Sequence, residues 1–461
     1  MRQVWLCFRG EREEVKDIAV YIQGGYAKSS YAVDSYCTRW WFGMELVKHV
    51  IEKAGFEVGY AGMETVSDYK VLLVPITSQC DWWSFLAERL RWKGRQPRVI
   101  VGGHGVCNVR ALLPFFDVAV YGRAENLIVP LIEAELSGGR FEHESICYSD
   151  SFSMDRKYIY AQVGQSYPEP FKDAKGNECT EGAIGCQRKC SFCHYTWTRK
   201  YLGQRQSSGK TGNNPFSLDQ EFTLFDFDLK NSDDYPRYIR NVGLDGASER
   251  LRVMVNKPIS NEMLYDFLMG LTRSAIRHPV RVYNLIGLPT ETDDDIRELS
   301  VICKKAAVDA VGNGCQRTDV QFHFTPFRAM PATPSGIWKM SYKNHRDDVE
   351  KMGGAVRQHV ALGEHLRVTV GGIVESLSAI FLEAIVLRGV ESDSANVEKL
   401  ALAKKFWSEG NSTRRLAALE TLFDKDRLFK QYTWDDLPAR NVWGYLPEVG
   451  IKRLSERGLV K

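Results

Sequence analysis

Short, unbroken apolar runs alternate with stretches of helical periodicity over residues 1–137. RQVWLCF (2–8), FEVGY (56–60), VLLVP (71–75), RVIVGG (98–103) and DVAVYG (117–122) read as strands. In GMELVKHVIEKAG, Val47, Val50, Ile51 and Ala54 share one helical face and Gly55 supplies the stop. WWSFLAERLRW (82–92) and ENLIVPLIEAEL (125–136) continue the helical series, with a short helix near ALLPF. Continuous apolar strands separated by helices predict a parallel sheet covered on both faces. Ligands of such sheets sit at the carboxyl ends of the strands. Small or polar residues stand there: Thr77 and Ser78; Gly102, Gly103 and His104; Gly122 to Glu125.

Residues 138–178 lose this rhythm, and their turn-rich stretches (SGGRFEHES, YPEPFKDAKGN) predict a linker. A second alternation runs over 179–338, with strands at FTLFDFD, RVYNLIG and VQFHFTPF and helices at 259–276 and 292–309. Residues 202–220 read as an exposed loop, and 339–461 as mostly helical and charged.

The chain has 461 residues, enough for two or three domains. With 61 basic and 58 acidic residues its formal charge is +3, which selects no class of partner. No apolar run is long enough to span a membrane. The opening MRQVWLCFRGEREE carries charge where a secretion signal needs an apolar core, so the expected compartment is the cytoplasm. Eleven cysteines, an odd number, do not read as a disulfide framework there.

Three of those cysteines crowd into GCQRKCSFCHY (185–195), with spacing Cys-x3-Cys-x2-Cys at Cys186, Cys190 and Cys193. Thiolates at short spacing wrap an iron–sulfur cluster. Three ligands leave one iron open to a small molecule bearing an amine and a carboxylate. The alternative is zinc with His194 as fourth ligand, but the usual second Cys-x2-Cys half is missing.

On these residues the sequence resembles the radical S-adenosylmethionine (SAM) superfamily, which carries the same loop with an aromatic, here Phe192, before the last cysteine. The resemblance implies a 4Fe–4S cluster, SAM on its open iron, and hydrogen abstraction by a 5′-deoxyadenosyl radical. It extends to GLDGASERLRVMVNKPIS (243–260), implying Ser248, Glu249 and Arg250 near SAM. It extends also to NLIGLPTET (284–292), implying Ile286, Gly287 and Pro289, and to VQFHFTPFRAMPATP (320–334), implying Phe324. Ser248, Glu249 and Arg250 also suit capping and ion pairing, and Glu291 suits a helix start. The family's second strand ends in a glutamate that meets the SAM amine; here Asp226 or Asp228 takes that place. His194, Tyr195 and Trp197 are candidates to line a substrate cavity, and core packing explains them equally.

The N-terminal segments VLLVPITSQCDWW, VIVGGHG and DVAVYGRAENLIVPLI resemble the cobalamin-binding domain of cobalamin-dependent radical SAM enzymes. That implies cobalamin held by Thr77, Ser78, Gly102, Gly103, His104, Gly122 and Glu125, although the Asp-x-His-x-x-Gly axial motif is absent. The expected architecture is α/β: a Rossmann-like domain (1–137), a linker (138–178), a partial (β/α)6 TIM-type radical SAM barrel (179–338) and a helical C-terminal region (339–461). The expected activity is methyl transfer to an unactivated carbon of a small-molecule or peptide substrate, with electrons from a flavodoxin or ferredoxin. A rearrangement, cyclisation or isomerisation without methylation is the alternative. A further one is modification of nucleic acid, contacted by Arg414, Arg415, Arg427, Lys430, Tyr432 and Trp434. A cobalamin or iron–sulfur sensor is the last.

Overall fold

The computed structural model describes residues 17–22, 42–165, 167–172, 178–179, 181, 184–186, 188–202, 221–224, 229, 235, 239–274, 276, 278–312, 318–343, 345, 347–350, 366–370 and 376–443. The expected strand at 2–8, Asp226 and Asp228, and all of the expected loop at 202–220 except Leu202 lie outside these residues.

The first sheet contains β1 (Ile18–Tyr21), β2 (Val58–Ala61), β3 (Val71–Pro75), β4 (Arg98–Gly102), β5 (Val118–Val120) and β6 (Ile146–Tyr148). Its order is β2-β1-β3-β4-β5-β6. The pairings from β2 through β5 are parallel, and β6 runs antiparallel to β5. The order 2-1-3-4-5 is that of doubly wound sheets. β1 corrects the sequence reading, which passed over IAVY.

Strand alternation splits the apolar residues between two layers. Ile18, Val20, Val71, Leu73, Ile100 and Val118 pack with Ile51 of α1 (Phe42–Lys53) and Leu131 of α3 (Ile128–Leu136). Tyr21, Leu72, Val74, Val99, Val101 and Tyr121 face Trp82 and Phe85 of α2 (Gln79–Arg89).

The linker forms β7 (Tyr158–Ile159), β8 (Phe171–Lys172) and β9 (Glu178–Cys179). A second parallel sheet then winds in sequence order: β10 (Glu221–Thr223), β11 (Asn241–Gly243), β12 (Val280–Ile286), β13 (Thr318–Pro326) and β14 (Leu366–Val370). That winding is the way a barrel wall is built. β14 belongs to this sheet although its sequence lies in the stretch expected to be helical. α4 (His194–Thr198), α5 (Glu249–Met254), α6 (Asn261–Arg273) and α7 (Asp293–Gly312) accompany it. Val282, Phe322, Phe324 and Val368 pack outward on Leu264 and Phe267 of α6 and on Leu299 and Ala306 of α7.

The C-terminal region is helical from Leu377 to Phe429 and closes with β15 (Val442–Trp443), which pairs with β7. Its Leu377–Arg388 helix is apolar on every side and correspondingly buried. The Trp83 indole donates to Leu382 O at 3.1 Å, tying this helix to the first sheet's helical layer. Arg388, fully buried, donates to four carbonyls: Leu428, Lys430, Gly336 and Trp338. Arg415 and Tyr432 are buried, and Arg427 pairs with Asp393 at 2.7 Å, so three residues proposed for nucleic acid stabilise this layer instead. Among the described residues no helix is long and apolar enough to cross a membrane.

Arg388→Met keeps the aliphatic stem and strands buried carbonyl oxygens. A loss of about 3 kcal/mol is expected, read as a lower denaturant midpoint. An unchanged midpoint contradicts the bracing role.

Candidate active site at the cysteine loop

The loop carrying Cys186, Cys190 and Cys193 is gripped by its own backbone groups. Ser191 N donates to Val255 O at 2.9 Å, past the end of α5, and Ser335 N donates to Ser191 O at 3.1 Å, after β13. The Asn256 amide donates to Lys189 O at 2.6 Å. From α4, the Trp197 indole donates to Cys190 O and the Thr196 hydroxyl to Cys186 O, both at 2.7 Å. Trp197 is therefore a clamp on the loop, buried at its inner side.

Burial pushes the Cys190 thiol up to about 12 and that of Cys193 to about 11. Such thiols stay protonated until a metal displaces the proton. Among the described residues no three His, Cys, Asp or Glu side chains converge on a single metal ion. A cuboidal cluster asks for something else: each thiolate binds its own iron, so the sulfurs stand apart at separate corners. Three thiols on one braced loop fit that group. His194 Nε2 lies 2.9 Å from the Tyr160 hydroxyl, while its Nδ1 is buried without a partner.

Beside the cysteines lies a pair that the sequence reading missed. Lys257, 4% exposed, forms an ion pair with Asp245. Burial pulls the Lys257 ammonium down, but Asp245 and the neighbouring Cys190 outweigh it and the net shift is upward. Asp245 leaves β11 with φ 63° and Asn256 precedes Lys257 with φ 60°, two turns that fold the strand exit and the helix exit onto each other. The signal was present in GLDG…NK, but neither residue stands out without the turns that join them.

Of the residues named for SAM, Phe192 is half-buried against the large apolar core, next in sequence to Cys193. Ser248, Glu249 and Arg250 are engaged by protein. The Ser248 hydroxyl donates to Asp295 at 2.5 Å, and Arg250 Nη2 donates to the same carboxylate at 2.6 Å. Glu249 accepts from Asn261 N at 2.8 Å. These are the capping and ion-pair roles. Phe324 and Ile286 belong to the apolar layer under α6 and α7, away from the sheet's inner face. Gly287, at φ 76°, and half-buried Pro289 form the turn that follows β12.

That turn gathers a second group of ionisable residues. Gly287 N donates to Glu291 Oε1 at 3.2 Å, while Oε2 is buried without a partner. A Cβ on Gly287 would lie 2.6 Å from His345 Nε2, itself buried and unpartnered. Burial pushes the Glu291 carboxyl up to about 7 and pulls His345 down.

The inner face of the second sheet is polar. Arg281, Tyr283 and Leu285 of β12 alternate with the buried outward residues, as do Asp319, Gln321, His323 and Thr325 of β13. Register pairs Tyr283 with His323, their rings 5.5 Å apart, and pairs Gly243 with Tyr283. Since the space a Cβ on Gly243 would fill lies 2.8 Å from Lys257 Nζ, this polar row begins beside the cysteines.

The residues named for cobalamin stand at the carboxyl edge of the first sheet, where the sequence placed them; the polar groups of Thr77 and Ser78 serve the protein, whereas His104 Nε2 and Glu125 Oε2 are buried without a partner. Thr77 N, Thr77 Oγ1 and Ser78 N all donate to Asp81, at 2.7, 2.6 and 2.8 Å, an N-terminal cap of α2. Glu125 pairs with Arg123, which also holds Glu181 at 2.6 Å. His104 meets His194 and Tyr195 edge-on, with ring centroids at 5.7 and 5.2 Å. A Cβ at Gly122 would lie 2.5 Å from both N and O of Ala161. Gly102 is half-buried, and exposed Gly103 is packed through its Cβ position on Ile76 O, 2.5 Å away. The space beside Gly103 and Gly122 is thus taken by the chain's own backbone, and Thr77 and Ser78 are taken by the cap of α2.

No family model matches the chain. An uncharacterized protein of Methanocaldococcus jannaschii, MJ0966, is 22% identical over 439 residues, covering 84% of this chain and 90% of that protein. Apo, selenomethionine-labelled OxsB, a cobalamin-dependent SAM radical enzyme, aligns at TM-score 0.29 and 12% identity. OxsB with aqua-cobalamin and SAM bound aligns at TM-score 0.25 and 10% identity. The chain is covered to 96% and 97% in these alignments but spans 61% and 62% of the OxsB chains.

Glu291 generates a pH test. Its folded carboxyl titrates near 7 against an ordinary 4.5, so the folded protein holds the proton more tightly. That stabilisation is complete below about 4.5 and is lost as pH rises through about 7. Relative to Glu291→Gln, the wild type is expected to lose denaturation free energy across this window. A difference between the two that is flat with pH contradicts the assignment.

Proposed function

We propose that the chain is a radical SAM enzyme, with the cluster on Cys186, Cys190 and Cys193 and SAM beside the Lys257–Asp245 pair. The observation that carries this reading is the braced three-thiol loop with a buried ammonium and carboxylate next to it. Cys186, Cys190 and Cys193 would hold a 4Fe–4S cluster, which in its reduced form would supply the one electron needed to cleave SAM to methionine and a 5′-deoxyadenosyl radical.

The chain's own residues do the rest. Lys257 offers the SAM carboxylate a cation, and Asp245 offers the SAM amine an anion, where burial strengthens both contacts. Asp226 or Asp228, outside the described residues, is a further candidate partner of the amine. Phe192 is a flat apolar wall for the base, and the Gly287 turn presents backbone near it. Tyr283 and His323 orient a polar substrate from the inner face of the second sheet. Tight packing of Cys190 and Trp197 excludes water from the cluster side.

Methyl transfer to carbon, and the cobalamin it needs, rest on the resemblance of the N-terminal segments alone. Hydrogen abstraction leading to a rearranged, cyclised or isomerised product needs only the residues above. A product heavier by one methyl group supports the former, and an unchanged mass or a loss of two hydrogens the latter.

Anoxically reconstituted protein, reduced with dithionite, is expected to convert SAM to methionine and 5′-deoxyadenosine. Replacing Cys186, Cys190 and Cys193 together by alanine abolishes this. Intact SAM after full reduction overturns the proposal. Lys257→Met is expected to weaken SAM binding by about 30-fold or more without loss of iron. Unchanged SAM affinity removes Lys257 from the site.

A further inference from the structure

A glycine-rich carboxyl edge on a parallel sheet has two physical causes. Either a ligand approaches the backbone closely, or another stretch of the chain does. Here the second accounts for the glycines. The Ala161 backbone fills the Cβ position of Gly122, through a parallel bridge that adds the linker to the edge of β5. Gly105 is pressed in the same way on Ser78 O.

The segment added at that edge then holds the cysteine loop. Tyr160 donates its hydroxyl proton to Val106 O at 2.9 Å, just past β4. With that proton engaged, the 2.9 Å contact to His194 has imidazole Nε2 as donor. The Gln162 side chain donates to Thr198 O at 3.0 Å and accepts from Lys200 N at 2.7 Å, clamping the end of α4. His104 fills the angle between His194 and Tyr195, and Arg199 lies 4.6 Å over the Tyr195 ring. From the other side, Cys80 and Arg328 both meet Glu383 of the C-terminal helix, linking the start of α2 to the exit of β13. The chain's own groups thus cap the exit of β3 and fill the space beside Gly103 and Gly122, while His104 Nε2 stays buried without a partner between them.

We infer that the carboxyl edge of the first sheet is a platform that seats the cysteine loop and does not hold a corrinoid. Its positive half rests on the cluster reading above; its negative half does not. Tyr160 and Gln162 are the positioning residues, acting on the cluster through the backbone of α4.

The test uses the full chain, reconstituted anoxically with iron and sulfide in excess hydroxocobalamin and then desalted. About four iron atoms per chain, with cobalt far below one per chain and no corrin absorption, are expected. Near-stoichiometric retained cobalt overturns the inference. Absence of both metals sinks the cluster reading and leaves the exclusion of the corrinoid standing. For the positive half, Tyr160→Phe is expected to keep wild-type iron content and melting behaviour. Its reduced cluster should show an altered electron paramagnetic resonance line shape and bleach in air several-fold faster. If Tyr160→Phe does not fold, Gln162→Leu serves the same purpose. A folded variant with wild-type line shape and bleaching rate overturns the platform.

Discussion

The site depends on backbone hydrogen bonds that hold a short loop between two sheets. Ser191 gives its N–H to Val255 O, beyond α5, and its carbonyl to Ser335 N, beyond β13. Those two bonds bury Cys190 and leave Cys193 partly buried beside it; desolvation raises both thiols, so metal ligation is the route to their thiolates. Cys186, at the more open end, is fixed by the Thr196 hydroxyl on its carbonyl. Position and protonation of the three sulfurs therefore follow from contacts that involve no sulfur.

The same packing unites the regions expected to be separate. One apolar cluster runs from Tyr21 and Val101 of the first sheet through Leu288 and Phe327 of the second to Ile385 and Phe429 of the C-terminal helices. Glu383 and Arg388, charged residues in an otherwise apolar helix, fasten that cluster at the exit of β13 and at the 336–338 turn. The C-terminal helices thereby tie the start of α2 in the first layer to the exit of β13 in the second.

The sequence announced most of the scaffold. VLLVP is β3 residue for residue, and RVYNLIG and VQFHFTPF lie within a residue or two of β12 and β13, because unbroken or alternating apolar runs carry their own period. IAVY escaped because the apolar run RQVWLCF just before it already fills the place of a first strand, although IAVYI is as long as VLLVP. The cysteines were legible because their chemistry is local in sequence. Lys257 and Asp245 were not, since twelve residues separate them and two left-handed turns bring them together. Thr77, Ser78, Ser248 and Arg250 show the reverse: residue types suited to ligands are equally suited to caps and ion pairs, and the fold uses them so.

The central claim is that three thiolates hold a cuboidal cluster with one corner left for SAM. Mössbauer spectroscopy of protein reconstituted with iron-57, before and after SAM is added, tests it most directly. The account predicts a 4Fe–4S spectrum in which one iron of four changes its isomer shift when SAM binds. A mononuclear metal site, or four irons that all ignore SAM, contradicts it.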